Sequence, residues 1–244
     1  MNSNEKQLEN SWNVNSKAWT DSIRQEKIIS RNTVTNPAIL TSIKSLKPKN
    51  VLDIGCGEGW LARVLAKEQI NVVGIDGSVS LIDEAKKLGG GTFYHLSYDE
   101  FSQSPTSIDT SFDVIVFNFS LLSEEIQPIL QACKKVLQTS GTILIQTLHP
   151  IAVINQERYE SGWKLEHFNG MGEGYEASMP WYFRTLGSWI KEFKMAGLDI
   201  IDCQEPLDPN KGIPLSLLFL LKKMSIPFTQ NDVYQEPMFG NNGY

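Results

Sequence analysis

Three glycines at alternate positions, Gly55, Gly57 and Gly59, follow directly on the apolar run Val51-Leu52-Asp53-Ile54. Lacking a Cβ, glycine permits a tight turn and a close approach of backbone to ligand, so a strand running into such glycines and then a helix is a nucleotide-binding turn. In the dinucleotide fingerprint a third glycine lets helix and strand pack closely, but here that position is Trp60, which disfavours a pyrophosphate. No Lys-Ser or Lys-Thr pair follows to hold phosphate and magnesium, so a Walker-type loop fails as well. What fits is a nucleoside carrying an amino acid, with carboxylates for its ammonium and ribose hydroxyls. Asp53 is in place for that, and so is Asp76. The latter ends the run Val72-Val73-Gly74-Ile75, about 20 residues beyond the glycines, where an acidic side chain can accept from both ribose hydroxyls.

The stretch Asp53-Ile54-Gly55-Cys56-Gly57-Glu58-Gly59, together with Asp76, resembles the first motif and the second acidic position of the class I S-adenosylmethionine-dependent methyltransferases. The resemblance extends from about Lys49 to Met224. Gln146-Thr147-Leu148-His149-Pro150 and Pro180-Trp181-Tyr182-Phe183-Arg184-Thr185 are similar to a bacterial subgroup of small-molecule type. It implies S-adenosyl-L-methionine as cofactor and S-adenosyl-L-homocysteine as product. The acceptor stays open, because the fold family methylates oxygen, nitrogen, carbon and sulfur. One departure concerns adenine: where the family commonly places an aspartate at the third strand tip, this chain offers Ser97, Tyr98 or Asp99.

The elements that must position these residues alternate. Strand-like runs at Val51–Ile54, Val72–Ile75, Thr92–Leu96, Val114–Phe117 and Thr142–Gln146 are separated by helical stretches at Trp60–Lys67, Ser80–Lys87 and Glu124–Leu137. This predicts an α/β doubly wound parallel sheet. A helix at Thr185–Ala196 and strands at Leu198–Cys203 and Leu215–Leu221 would complete seven strands, the last antiparallel as the resemblance implies. Trp12, Trp19 and Ile23 fit one helical face, and Asn36-Pro37 opens a helix over Ala38–Leu46. The expected organisation is therefore an N-terminal helical cap (1–47), a cofactor-binding domain (48–224) with an inserted lid segment (151–184), and a tail (225–244) to which no fold is assigned.

In open α/β sheets ligands bind beyond the carboxyl ends of the strands. The candidate cofactor residues are accordingly Asp53, Gly55, Cys56, Gly57, Gly59, Asp76, Gly77, Ser97, Tyr98, Asn118 and Phe119. Asp53 can instead satisfy backbone donors of the turn, and Asn118 can be a turn former. Asp76 competes with Ser78 for the helix cap, and Ser78 is the better cap. Leu81 and Ile82 can be core or adenine wall. His149, at a strand tip, is the candidate general base; its other use is to hold the loop before Pro150. Trp19, His149, Trp181, Tyr182 and Arg184 are the candidate acceptor contacts, through aromatic faces and charge, with lid packing as the alternative.

With 244 residues and 41% hydrophobic content the chain suits one large domain with an insertion. A net charge of −6 argues against a broad nucleic-acid footprint. Cys56, Cys133 and Cys203 have no C-x-x-C spacing, so no disulfide framework or zinc site is indicated, and no residue cluster points to another metal. No apolar stretch is long enough to span a bilayer. The expectation is a cytoplasmic small-molecule methyltransferase, monomer or homodimer, not membrane-bound. The competing readings are a non-catalytic adenosyl-binding regulatory protein and a tRNA-modifying methyltransferase using Arg24, Arg31, Lys222 and Lys223.

Overall fold

The computed structural model describes residues 2–108, 111–154 and 158–224; the expected tail at 225–244 lies outside them. Two helices come first, α1 (Ser3–Val14) and α2 (Ser16–Arg24), then a π-helical turn at Arg31–Thr35 leading into α3 (Asn36–Ser45). The alternating part follows: β1 (Asn50–Ile54), α4 (Trp60–Ala66), β2 (Asn71–Asp76), α5 (Val79–Leu88), β3 (Thr92–His95), α6 (Tyr98–Gln103), β4 (Phe112–Asn118), α7 (Gln127–Val136) and β5 (Leu137–Leu148). After α8 (Pro150–Val153) come β6 (Gly162–Glu166), β7 (Met179–Phe183), α9 (Leu186–Met195), β8 (Leu198–Gln204) and β9 (Ser216–Lys223). Among the described residues, no helix is long and apolar enough to cross a membrane.

Seven strands form one sheet in the order β3-β2-β1-β4-β5-β9-β8. β1 to β5 pair in parallel, and β9 runs antiparallel to both β5 and β8. The expected doubly wound sheet with an antiparallel last strand is what forms. β1 and β4 are covered on both faces, which is why they read as continuous apolar runs. One core contains Phe117, Ile129, Trp189, Phe193 and Phe219; the other contains Ile39, Leu61, Val116 and Leu144. Strand order reverses between β1 and β4, so a crevice opens at their carboxyl ends.

Three local features depart from the periodicity. The single N-terminal face is built from two helices that meet at Asn15. This asparagine is fully buried: its Nδ2 donates to Ala177 O at 2.6 Å, and its Oδ1 accepts from Glu176 N at 2.8 Å. A side chain serving another segment's backbone marks the junction, and it brings Trp12 and Trp19 into a stack, ring centroids 5.1 Å apart. The inserted segment contains a hairpin, β6 paired antiparallel with β7, forming a separate two-stranded sheet. Its Phe168, Met179, Trp181 and Phe183 pack with Leu8 of α1 and Leu122 in a small third core. Finally, the third strand tip opens directly into α6, where Ser97 and Glu100 form a capping box.

Candidate active site

A cavity of about 300 Å³ lies against the carboxyl ends of the parallel strands and beneath α1 and α2. Of the residues expected at a cofactor, Asp53, Gly55, Cys56, Gly57, Asp76, Gly77, Ser97, Tyr98, Asn118 and Phe119 line it; Gly59 does not. Gly59 works from behind, in the left-handed conformation that starts α4, where a Cβ would come within 3.0 Å of Ala85 and Phe93.

The two aspartates divide their work in the opposite sense to the simplest sequence reading. Asp76 holds the turn: its Oδ2 accepts from Gly57 N at 2.9 Å and its Oδ1 from Ser78 N at 2.8 Å. Burial raises its pKa and these backbone donors oppose the rise. Ser78 occupies the cap position of α5 but makes no side-chain cap bond; its own backbone N–H is held by Asp76. Asp53 is almost wholly buried, and burial together with the charge of Asp76 raises its pKa to about 7, with Arg31 opposing.

Backbone geometry closes the floor of the cleft. Gly55 has φ +76°, and a Cβ there would lie 2.4 Å from Ser120 Cβ. Ser120 cannot retreat, since its Oγ donates to Ile54 O at 2.6 Å and its carbonyl accepts from Tyr98 Oη at 3.0 Å. Next to it, Phe119 has φ +56°, a sparsely populated conformation for a bulky side chain that tends to occur at functional sites.

Residues from the N-terminal helices complete the wall. Arg31, in the π-helical turn, sets its guanidinium over the Trp60 ring at 4.9 Å from the centroid. Burial lowers its pKa to about 10, Glu58 and Asp53 opposing, so it stays charged at neutral pH. Glu5, Leu8, Glu9, Trp12, Trp19 and Ile23 also line the cavity. The helical spacing of Trp12, Trp19 and Ile23 pointed to an N-terminal cap over the cleft; Glu5, Leu8 and Glu9 carried no signal of their own in the sequence.

Eight buried side-chain polar atoms lack a hydrogen-bond partner among the described residues. Four of them, Trp19 Nε1, Arg31 Nε, Ser78 Oγ and Asn118 Oδ1, belong to residues lining this one cavity. Buried polar groups without partners are costly, so such a concentration is the mark of a polar ligand's site. With the two aspartates, the arginine and the glycine turn, the donor and acceptor set fits a nucleoside bearing an ammonium and a carboxylate.

The expected general base is not there. His149 does not line the cavity. It caps α8, Nδ1 accepting from Ile151 N at 3.1 Å, and its Nε2 lies 2.8 Å from Glu205 Oε1. It therefore plays the loop-holding role that was the alternative reading. Trp181, Tyr182 and Arg184 are likewise outside the lining. Trp181 is in the small third core, and Tyr182 N donates to Leu122 O at 2.8 Å. Arg184 donates to Ser123 O and Glu124 O, its guanidinium over the rings of Tyr182 and Trp189. The hairpin thus packs against the N-terminal helices, with Trp181, Tyr182 and Arg184 outside the cavity lining. The basic residues considered for nucleic acid do not converge either: Arg24 is paired with Glu58 and Glu84, and Lys223 donates to Leu137 O at the far end of the sheet.

The family described as a methyltransferase domain matches residues 27–202. An uncharacterized protein of Haemophilus influenzae is 26% identical over 208 residues, covering 76% of this chain and 81% of that protein. The ubiquinone biosynthesis O-methyltransferase of Pasteurella multocida is 31% identical over 147 residues; the match spans 54% of this chain and only 60% of that enzyme. Among solved structures, an S-adenosylmethionine-dependent methyltransferase from Mesorhizobium loti superposes with a TM-score of 0.56 at 19% identity, over 75% of this chain and 96% of that one. The glycopeptide N-methyltransferase MtfA, complexed with S-adenosylmethionine, gives 0.55 at 13% identity, over 71% and 86%. At such identities these structures speak for the fold.

Proposed function

The chain belongs to the class I S-adenosylmethionine-dependent methyltransferases, and from that membership we propose that it methylates a small-molecule acceptor held beneath its N-terminal helices. The observation that carries the reading is the gathering of Asp53, Asp76, Arg31 and four unpaired polar atoms around one cavity that continues to Trp12 and Trp19. A non-catalytic adenosyl-binding protein would need no such continuation. The named relative acts in ubiquinone biosynthesis, which supports a small acceptor without identifying it.

When bound, S-adenosylmethionine supplies a methyl group on a positively charged sulfur, so the protein's main tasks are orientation and exclusion of water. In this reading Asp76 offers its remaining lone pairs to the ribose hydroxyls while holding Gly57 and Ser78. Asp53 and Asn118 face the ammonium, and Arg31 faces the carboxylate. Ser97, Tyr98 and Leu81 bound the adenine end. Residues 1–47 act as cap over a domain spanning 48–224, and the insertion at 151–184 stiffens that cap. Neither histidine nor lysine lines the cavity among the described residues, so an acceptor proton would leave through Glu5, Glu9, Asp99 or solvent.

Calorimetric titration with S-adenosylmethionine and S-adenosylhomocysteine, using wild type and Asp76→Ala with NAD as control, tests the reading. Micromolar binding that the substitution abolishes is expected. Absence of binding, or a preference for NAD, would sink it.

A further inference from the structure

The acceptor end of the cavity is the part walled by α1 and α2. Trp12 and Trp19 stack on each other there, and with Leu8 and Ile23 they give that end an aromatic and apolar wall. The charge around that surface has one sign. Glu5 and Glu9 lie four residues apart on α1, on the same helical face as Leu8 and Trp12. Glu5 is fixed at the rim, its Oε1 accepting from Glu124 N at 3.0 Å. Glu9 has no hydrogen-bond or ion-pair partner among the described residues, so its charge is uncompensated. The basic residue among the described lining residues, Arg31, lies over Trp60, and in the reading above its charge is given to the cofactor's carboxylate.

From this arrangement, which rests on the methyl-transfer reading above, we infer that the acceptor is an amine carried on a flat apolar body. The body lies along Trp12 and Trp19 and the nitrogen is drawn to Glu9. An ammonium gains from an indole by cation–π attraction and from the carboxylates by direct Coulomb attraction; it becomes nucleophilic on ceding a proton to Glu9 or solvent, and its lone pair then takes the methyl as the methyl–sulfur bond breaks and S-adenosylhomocysteine leaves. A carboxylate or phenolate acceptor meets the carboxylates of Glu5 and Glu9, with no second cation among the described lining residues to offset them. A single-signed cleft selects against such an acceptor already at the encounter stage. Glu9 is then the residue that sets charge specificity, while Glu5, tied to the Glu124 backbone, holds α1 in register over the cavity.

The test is calorimetry on the full-length chain saturated with S-adenosylhomocysteine, titrating phenethylamine, 2-phenylethanol and phenylacetate, which share a ring and differ in charge. Phenethylamine should bind at least about 10-fold more tightly than phenylacetate, and the margin should shrink as salt rises. Glu9→Gln should cut the margin by roughly 3-fold or more, with S-adenosylhomocysteine affinity unchanged. Equal or tighter binding of phenylacetate or phenylethanol, binding of none of the three, or a margin that Glu9→Gln leaves intact overturns the inference alone. If S-adenosylhomocysteine itself fails to bind, the methyl-transfer reading falls, and the inference with it.

Discussion

Arg24 Nε donates to Glu58 Oε2 at 3.0 Å, joining α2 of the cap to the middle of the glycine turn. The Glu58 side chain has no solvent exposure, and Arg63 Nη2 holds the same carboxylate at 2.6 Å. Arg24 also reaches Glu84 of α5 at 2.9 Å. The turn that shapes the cofactor site and the helix that covers it are therefore fastened by one buried anion. Arg24→Ala is expected to cost about 1–2 kcal/mol, because Arg63 still compensates Glu58, whereas Glu58→Ala, which takes the buried anion from both arginines but leaves Arg24 its Glu84 partner, should cost more, about 2–3 kcal/mol. Thermal melts check the order. Arg24→Ala should also speed release of S-adenosylhomocysteine in stopped-flow displacement.

Asp53 gives a pH signature. Burial holds its folded pKa near 7, against an ordinary value of 3.8. Its contribution to stability is thus fully present below the unfolded value and is lost as pH rises through about 7. A cationic ligand reverses the preference by favouring the carboxylate. S-adenosylmethionine affinity should rise with pH up to about 7 and then level off. Asp53→Asn should remove the rise and stabilise the ligand-free protein at pH 8. Calorimetry and melts across pH 5 to 8 check both arms; a slope that persists in Asp53→Asn refutes the assignment.

Gly55→Ala combines a positive φ with a contact 2.4 Å from Ser120 Cβ. The expected loss is about 2–4 kcal/mol in urea unfolding, together with loss of cofactor binding. Gly57→Ala has open space around the new Cβ, so it should keep more stability while still impairing the ligand. If the two variants unfold alike, the steric account of Gly55 is wrong.

His149→Gln should leave the rate of methyl transfer within about 2-fold of wild type, since the ring caps α8 and pairs with Glu205 outside the cavity. Its cost is structural, about 1 kcal/mol of stability from the lost cap and pair. Steady-state assays beside thermal melts separate the two effects. A variant that melts like wild type yet turns over about two orders of magnitude more slowly would return His149 to the chemistry.

Much of this molecule was legible in its sequence because the signals are local. Alternating apolar strands and amphipathic helices require a parallel sheet, and the glycine turn with Asp76 at the second strand tip marks the crevice where the cavity lies. Partnership across long separations was not legible. The spacing of Trp12 and Trp19 suggests a shared face in an N-terminal cap, but only packing shows Glu5 and Glu9 lining the same cavity. A histidine at a strand tip looks poised for proton transfer until the chain brings Glu205 to it. The aromatics of the insertion look like an acceptor pocket until they are seen buried against α1. Which carboxylate holds the backbone of the turn is likewise set by the register of β1 against β2, which aims Asp76 at Gly57 and Ser78 and leaves Asp53 buried in the cavity wall. Short-range pattern determined the elements and the kind of nucleotide turn; the side-chain environments, which depend on residues far apart in the chain, decided the site's chemistry.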